Sequence, residues 1–208
     1  MSRSEDTVLG VILAGGGGRR FGGRDKAFIS LAGQSLAAHA IGRLAPQVEA
    51  LLVNANGDAA RFSSFGLPVV ADTIENGGPL AGVLAGMEWA LKNRPGTGHV
   101  LSVAVDTPFF PQDYREKMMR RLHEDEAVLA CAVSSGRLHP VFCLWPIHLA
   151  GELRMALVNE GLRKVRVFIN RYACARVSFA PRAGQDPFFN INRAEDQRAA
   201  QERFIRRG

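Results

Sequence analysis

The sequence predicts a three-layer α/β fold in which helices cover both faces of a mostly parallel sheet. Short apolar runs, suited to strands buried on both faces, alternate along the chain with segments of helical periodicity. The 208 residues contain no internal repeat, no low-complexity tract and no break in composition that would mark a linker. We therefore expect one domain that spans residues 1–208.

Most predicted strands are apolar runs that stop at a polar residue or a turn. The first, Val8–Leu13, is too short for a stable helix and rich in branched side chains. A glycine-rich stretch, 15–23, follows it directly. The remaining predicted strands are 51–53, 68–71, 100–105, 128–133, 141–145 and 176–179.

Helices are predicted where apolar residues recur every three or four positions. Ser35 lies near the start of the first, and Pro79 suits the first turn of the second. Asn192 and Glu195 have the spacing of a reciprocal helix cap before the last. The predicted helices cover 34–44, 79–91, a segment after Pro111 that runs through 122, 149–158 and a last segment that ends near 204.

Four predicted strands end at residues suited to ligand binding, namely Gly15, Asn54, Asp72 and Asp106. In folds of this class the carboxyl ends of parallel strands lie on one edge of the sheet, and ligands bind there. These residues are therefore expected to lie around one site.

The amino-acid composition argues against several classes of function. The formal net charge is +6, which suits an anionic partner, but the arginines are scattered and aromatic residues do not alternate with them, so nucleic acid is not expected. No stretch is long and apolar enough to span a membrane, and the first residues do not resemble a signal peptide. The three cysteines form no C-x-x-C pair and are expected to be reduced thiols of a cytoplasmic protein, with Cys131 and Cys143 in the core.

The glycine-rich stretch predicts a phosphate-binding loop. Its consecutive glycines let the backbone approach a ligand closely with several N–H groups turned inward. Its spacing matches neither the dinucleotide pattern G-x-G-x-x-G nor the P-loop, which requires Gly-Lys-Ser/Thr. Arg20 and Lys26 lie close enough in sequence to neutralise a triphosphate.

The segment from Leu13 to Lys26 has the pattern L-A-G-G-x-x-x-R-[M/F]-G-G-x-D-K. It resembles the opening motif of the molybdenum cofactor guanylyltransferases, and the resemblance to that family covers nearly the whole chain. Further similar segments follow in the same order, and the ordered set is more specific than the first motif. They are Gln34-Ser35-Leu36, Asn54, Asp72, 78–82, 106–108, His139-Pro140, 161–165 and 189–192.

This resemblance implies the transfer of GMP from GTP to the terminal phosphate of the molybdenum cofactor, with Mg²⁺ as cofactor and release of pyrophosphate. The implied fold is the Rossmann-like α/β/α nucleotidyltransferase fold. Brief contacts with cofactor carrier proteins or apo-molybdoenzymes are also implied. Two alternatives remain open: a cytidylyltransferase of the same fold that acts on molybdopterin or another phosphorylated acceptor, and a carrier of nucleotide or cofactor without catalysis.

Site residues follow from the resemblance and from the strand ends. Asp106 is the expected metal ligand, because a carboxylate at the end of a buried strand is costly to desolvate without a cation. Asp72 could accept hydrogen bonds from the guanine edge, although a ribose contact or a turn is nearly as well supported. The expected catalytic residues are Arg20, Lys26 and Asp106. The expected nucleotide-binding residues are Leu13, Ala14, Gly15, Gly16, Lys26, Asn54, Asp72, Gly78, Pro79 and Asp106. The expected acceptor-binding residues are His139, Arg163, Lys164, Asn190 and Asn192.

Overall fold

The computed structural model describes residues 6–15, 25–181 and 185–205. It contains nine strands, of which all except β2 and β3 form one central sheet. In chain order they are β1 (Val8–Leu13), β2 (Ser30–Leu31), β3 (Gln34–Ser35), β4 (Ala50–Asn54), β5 (Val69–Val70), β6 (His99–Ala104), β7 (Leu129–Ser134), β8 (Arg137–Pro146) and β9 (Cys174–Ser178).

The central sheet has the strand order β5-β4-β1-β6-β8-β7-β9. β8 pairs antiparallel with β6 and β7, and the other neighbouring strands pair in parallel. The predicted mostly parallel sheet is thus confirmed. The predicted strands 128–133 and 141–145 flank the turn Ser134-Ser135-Gly136 in the sequence. In the structure this tight turn joins β7 and β8 as a hairpin, which reverses the direction of β8.

Helices flank the sheet as three-layer packing requires. They are α1 (Leu36–Leu44), α2 (Pro79–Asn93), α3 (Tyr114–Glu124), α4 (Ala150–Val158), α5 (Val165–Ile169) and α6 (Ala194–Ile205). Val8 and Ile12 of β1 lie in a core with α1 and α3, whereas Leu9 and Val11 lie in a second core with α2, α4 and α5. Both faces of β1 are therefore buried, which explains its continuous apolar sequence.

A third, smaller core joins the first part of the chain to the last. It contains Ile29, Leu31 and Leu36, together with Phe109, Ile191 and Ala200. Two side chains of α6 extend the contact to the β2–β3 hairpin. Gln197 Nε2 donates to the Ser30 carbonyl (2.7 Å), and Gln201 Oε1 accepts from the Ala32 amide (2.8 Å).

The predicted cap of the last helix is wrong. Asn192 does not cap α6, which begins two residues later. Asp196 provides the cap, since its carboxylate accepts from the backbone N–H groups of Asn192 and Arg193, both at 2.8 Å. A carboxylate in the first turn satisfies the free amides and suits the positive end of the helix dipole. The Asn192 side chain is thereby released for other contacts.

The expectation of three reduced cysteines is wrong for two of them. Cys131 and Cys143 are buried, as predicted, but they form a disulfide. Antiparallel pairing of β7 and β8 places the two residues opposite each other, with their Cα atoms 4.3 Å apart. A separation of 12 residues in the sequence does not reveal this register. Cys174 is a free thiol.

Among the described residues, no helix combines the length and the apolar character needed to cross a bilayer.

Candidate active site

Polar residues at the strand ends lie around one cavity, as the sequence predicted. The cavity has a volume of about 480 Å³. Gly15, Asn54, Asp72 and Asp106, which follow or end β1, β4, β5 and β6, all line it. β8 and the segment before α6 supply further lining residues, among them His139, Pro140 and Asn190.

Lys26 and Asp106 form an ion pair at this cavity. The two side chains are each only 17% exposed, and Lys26 Nζ also donates to Asn192 Oδ1 (2.7 Å). The neighbouring Thr107 hydroxyl donates to Asn190 Oδ1 (2.6 Å) and lies 3.1 Å from Asp106 Oδ1. These contacts join the residue Lys26, the end of β6 and the segment before α6 around one carboxylate.

Two asparagines orient the carboxylate of Asp72. Asn54 Nδ2 donates to Oδ1 (2.9 Å), and Asn56 Nδ2 donates to Oδ2 (2.7 Å). Asn56 Oδ1 also accepts from the Asp72 backbone amide (2.8 Å). Each carboxylate oxygen keeps a lone pair for a ligand, because an ionised carboxylate can accept about four hydrogen bonds.

The absence of a side chain at Gly82 leaves room for the side chain of Asn54. A Cβ atom there would lie 2.2 Å from Asn54 Oδ1 and 2.6 Å from Leu13 Cδ2. Gly82 lies inside α2, so this helix can approach the ends of β1 and β4 only without a side chain at this position.

The amino end of α2 points at the cavity. Gly78 and Pro79 line it, and Gly78 precedes the helix with φ 62° and ψ −156°, a conformation open essentially to glycine alone. The amino terminus of a 15-residue helix carries free N–H groups and a partial positive charge. An anionic group is therefore favoured on this side of the cavity.

His139 is held by a hydrogen-bonded chain that the sequence did not suggest. Ser134 Oγ lies 2.7 Å from His139 Nε2 and donates to Asp186 Oδ1 at 2.7 Å. Since the hydroxyl proton goes to the carboxylate, Nε2 is the donor to Oγ, which leaves Nδ1 of a neutral ring as an acceptor. Burial lowers the pKa of His139, with Arg137 acting in the same direction and Asp186 opposing it. The ring packs on Phe188, with a centroid distance of 4.6 Å.

Three sequence-predicted residues are not among those that line the cavity. Ala14 is buried, and its amide donates to the Asn54 carbonyl (2.8 Å), so that N–H is not available to a base. Arg163 turns back on the chain, where Nη1 donates to the carbonyls of Leu157 and Leu162, both at 2.9 Å. Lys164 is exposed and precedes α5. Gly16 and Arg20 lie outside the described residues.

Sequence reasoning missed the residues that orient others. Asn56 and Asp186 contact functional candidates without ending a strand themselves, whereas Ser134 is the last residue of β7. The sequence carried a signal for Asn56, which lies two positions after Asn54 and also has an amide side chain, and for Ser134, which directly follows a predicted strand. The contact between Ser134 and Asp186 joins residues 52 positions apart and depends on the tertiary fold.

Comparison with known proteins identifies the family of this chain. Residues 10–175 match the family described as the MobA-like NTP transferase domain. The chain is 48% identical over 196 residues to a molybdenum cofactor guanylyltransferase from Bradyrhizobium sp. (strain ORS 278), covering 94% of this chain and 92% of that protein. It is 47% identical over 197 residues to a protein of the same name from Rhodopseudomonas palustris (strain BisB5), covering 94% and 93%.

A solved structure supports the fold. The molybdopterin-guanine dinucleotide biosynthesis protein A from Archaeoglobus fulgidus superposes with a TM-score of 0.74 at 23% identity, covering 96% of this chain and 100% of that one. At that identity the likeness establishes the architecture alone. The matches in sequence go further: this chain belongs to the MobA-like NTP transferase family, and the family resemblance seen in its motifs is confirmed.

Proposed function

We propose that this protein is a molybdenum cofactor guanylyltransferase, which transfers GMP from GTP to the terminal phosphate of the molybdenum cofactor. The observation that carries the proposal is a cavity with Asn54 and Asp72 at the ends of β4 and β5, His139 on β8, and Asp106 at the end of β6 between them. A two-sided site of this kind suits a nucleotide and a second substrate. The names of relatives that are 42–48% identical support the choice of both substrates.

The reaction needs no protein nucleophile. A phosphate oxygen of the acceptor attacks the α-phosphorus of GTP, the bond from that phosphorus to the bridging oxygen breaks, and pyrophosphate leaves with the electron pair. The acceptor phosphate is already ionised at neutral pH, so catalysis consists of alignment and charge neutralisation. Lys26 and the amino end of α2 provide positive charge for the triphosphate.

The residues present fit a magnesium ion. Mg²⁺ takes oxygen ligands and is usually bound by one or two carboxylates together with phosphate oxygens. Asp106 offers such a carboxylate beside a lysine, and the described residues include no cluster of three or more His, Cys, Asp or Glu side chains that could hold a metal alone. Asp106 would hold the ion, which would supply charge for the phosphates. Lys26, now paired with Asp106, would turn to a phosphate oxygen.

Asp72 is the proposed contact to the base. A carboxylate can accept from both N1–H and the 2-amino group of guanine, and adenine does not present this pair of donors. Asn54 and Asn56 hold the carboxylate in one orientation, which favours a specific contact. Leu13, Gly15, Gly78 and Pro79 complete the nucleotide side of the cavity.

On the acceptor side we propose His139, Asn190 and Asn192. His139 and Asn190 line the cavity, and Asn192 reaches it through Lys26. The side-chain contacts of Arg163 do not support an acceptor contact by that residue. We also propose a cytoplasmic location, since both substrates are phosphorylated and charged, and transfer of the product through brief contact with a carrier protein or an apo-molybdoenzyme.

The test is a pyrophosphate-release assay with magnesium and purified molybdenum cofactor, using GTP, CTP, ATP or UTP. We expect release with GTP alone. Asp106→Asn should lower the rate by about 100-fold or more, because it removes the carboxylate that neutralises the phosphates through the metal. Asp125→Asn is the matched control, since Asp125 forms a surface ion pair with Arg121 and should retain activity.

Each other outcome has a definite meaning. Release with CTP instead of GTP would contradict the proposed base specificity while leaving the reaction class intact. If the protein binds nucleotide but releases pyrophosphate from none of the four nucleotides, it is a carrier and not an enzyme. A normal rate for Asp106→Asn would refute the role of Asp106.

A further inference from the structure

The side chain of Arg61 joins two separate segments of the chain near the active site. It lies in the helical segment Ala59–Phe65, which follows β4. Nη1 donates to the Asp58 carbonyl and Nη2 to the Asn56 carbonyl, both at 2.7 Å. Nε lies 2.8 Å from Asp25 Oδ2, and the side chains of this ion pair are only 28% and 30% exposed. Because the guanidinium is planar and its donors are fixed relative to each other, these contacts hold all three partners in one arrangement.

One of these partners, Asp25, directly precedes Lys26. Its Oδ1 accepts from the Ala27 amide (3.0 Å), which caps the short helical turn that contains Lys26. Its other oxygen, Oδ2, is the one that pairs with Arg61. Both oxygens of the carboxylate are thus engaged, and the backbone from which Lys26 reaches Asp106 is fixed at its start.

The two segments also meet through an aromatic contact. The rings of Phe28 and Phe62 have centroids 5.0 Å apart, and Phe62 is buried in the core on the α1 and α3 side. The guanidinium of Arg61 lies 4.9 Å from the centroid of the same Phe62 ring. Because the burial of Phe62 keeps the segments packed, loss of the guanidinium should affect the orientation of polar groups more than the fold.

The other end of this link leads to Asp72. Asn56, whose carbonyl accepts from Arg61, holds Asp72 with its side chain. Its Nδ2 donates to the carboxylate (2.7 Å), and its Oδ1 accepts from the Asp72 amide (2.8 Å). Gly57 follows with φ 82°, a left-handed turn that places two carbonyls against one guanidinium. Arg61 therefore links Asp72, the proposed contact to the base, with the segment that bears Lys26, which serves the triphosphate.

We propose that Arg61 is a positioning residue for GTP, which keeps the base contact and the triphosphate contact at a fixed separation. This inference rests on the proposed function. The base and the phosphates belong to one molecule, so a site that binds both ends tightly must hold Asp72 and Lys26 at matching positions. Contacts that are already arranged in the free protein leave less to be ordered on binding. In this role Arg61 acts through Asn56 and Asp25.

The charge of Arg61 has a second effect at the same place. Arg61 neutralises Asp25, whose carboxylate would otherwise be unpaired beside Lys26 in the chain. An unpaired carboxylate there would compete for the lysine and repel the triphosphate, and both effects weaken GTP binding. A lysine at position 61 would keep the charge but not the planar set of donors that contacts both carbonyls and the carboxylate. Substitution can therefore separate the two effects.

The experiment compares Arg61→Gln with Arg115→Gln. Arg115 is a matched control, because it pairs with Glu49 (3.1 Å), donates to the Asp6 carbonyl (2.8 Å) and is 29% exposed. Its partners precede β4 and β1, which run parallel, so they lie at the edge of the sheet opposite the active site.

In Arg61→Gln, calorimetry should show GTP binding weakened by about tenfold, the loss expected for one charge-assisted hydrogen bond, and KM for GTP should rise equally. KM for the acceptor should stay within about twofold of the wild type, because the contacts of Arg61 lead to the nucleotide side of the site. Arg115→Gln should leave both KM values within about twofold.

Two further variants trace the route from Arg61 to Lys26. Arg61→Lys restores the charge beside Asp25 and should recover part of the affinity, leaving GTP about threefold weaker than in the wild type. Asp25→Asn keeps a cap for the Ala27 amide but loses the ion pair, so it should also weaken GTP. Because both single changes break the same contact, Asp25→Asn combined with Arg61→Gln should weaken GTP by less than the product of the separate effects.

Three results would overturn the proposal. The first is unchanged GTP affinity in Arg61→Gln. The second is an equal rise in the KM values for GTP and acceptor, which would indicate general loosening of the site. The third is a double variant whose effect equals the product of the single effects, which would mean that Arg61 does not act through Asp25. If instead neither the wild type nor Arg115→Gln released pyrophosphate, the proposed function would fail, while calorimetry with GTP would still test Arg61.

Discussion

At the scale of single residues, the sequence indicated the groups that end strands. Asn54, Asp72 and Asp106 were predicted because each follows a buried apolar run, and parallel strands of one sheet end on the same edge. The pair of residues that orients His139 could not be predicted in the same way. Ser134 and Asp186 meet at His139 only after the β7–β8 hairpin and the segment before α6 have come together.

The contact between Ser134 and His139 gives a prediction about acceptor binding. Ser134→Ala removes the acceptor for Nε2–H and breaks the link to Asp186, so the ring should lose its fixed orientation. We expect KM for the acceptor to rise by about fivefold to tenfold, with little change in KM for GTP, because one hydrogen bond that positions a contact is lost. Steady-state kinetics with each substrate varied in turn measure both constants.

Two controls separate positioning from general damage. Ser134→Thr keeps the hydroxyl and should retain most of the acceptor affinity, and Ser64→Ala changes an exposed serine of the helical segment Ala59–Phe65 and should change neither KM. The pH profile provides a further readout. Because burial lowers the pKa of His139 below its ordinary value, wild-type acceptor KM should be constant near neutral pH and rise only in acid, as the ring gains its second proton. Equal losses of affinity for GTP and acceptor in Ser134→Ala would contradict the proposed role.

At the scale of elements, periodicity predicted the long helices and the sheet strands to within a few residues, except for the length of β8. Apolar runs of five or six residues are informative when both faces of a strand are buried. Short elements carry too few repeats for this, and the helical segment Ala59–Phe65 and the five-residue α5 were not predicted. β8 is also longer than expected, because its first half carries Arg137 and His139 rather than apolar residues.

The close approach of α2 to the sheet leads to a prediction with a built-in control. Gly82→Ala would place a Cβ atom 2.2 Å from Asn54 Oδ1, whereas Gly86→Ala, one turn later, would place one 2.5 Å from Val11 Cγ2. Both changes overpack the same interface, at about 1–3 kcal/mol, partly offset by the better helix propensity of alanine. Only the first displaces a residue that orients Asp72.

We therefore expect both variants to lose similar stability in urea unfolding but to differ in nucleotide binding. Calorimetric titration with GTP should show a dissociation constant about tenfold weaker for Gly82→Ala and nearly unchanged for Gly86→Ala. Equal weakening in the two would mean that the loss comes from general loosening of α2. Unchanged GTP binding in both variants would mean that the position of Asn54 does not determine nucleotide affinity.

At the scale of the whole molecule, the site depends on contacts between distant parts of the chain. Lys26 meets Asn192, and the small core around Leu31 and Ile191 joins the same two regions. The alternation of elements predicted the three layers, which the sheet and its two large cores confirm. The contact between the segment around Leu31 and the segment around Ile191 was not predicted, because nothing in either sequence pattern indicates which segment it packs against.

The larger core on the α1 and α3 side makes global stability depend on pH through one buried phenol. Tyr114 is fully buried among aromatic rings, and burial raises its pKa well above the ordinary value. In the unfolded chain this phenol ionises above about pH 10, whereas in the folded protein it keeps its proton. The unfolded state then binds fewer protons than the native state, so the free energy of unfolding should fall as pH rises above about 10.

Tyr114→Phe should reduce this dependence at small cost near neutral pH. The lost hydrogen bond, from the phenol to the Ser102 carbonyl, is long at 3.4 Å, so we expect a loss of about 1 kcal/mol or less at pH 8. Between pH 10 and 11 the variant should lose less stability than the wild type, as urea unfolding at each pH would show. Tyr172→Phe is the comparison, because Tyr172 is the only other tyrosine in the sequence and its pKa is also raised, to about 12, at a more exposed position. If Tyr114→Phe and the wild type lose the same stability over this range, Tyr114 does not determine the alkaline limit, and ionisation elsewhere in the molecule must account for it.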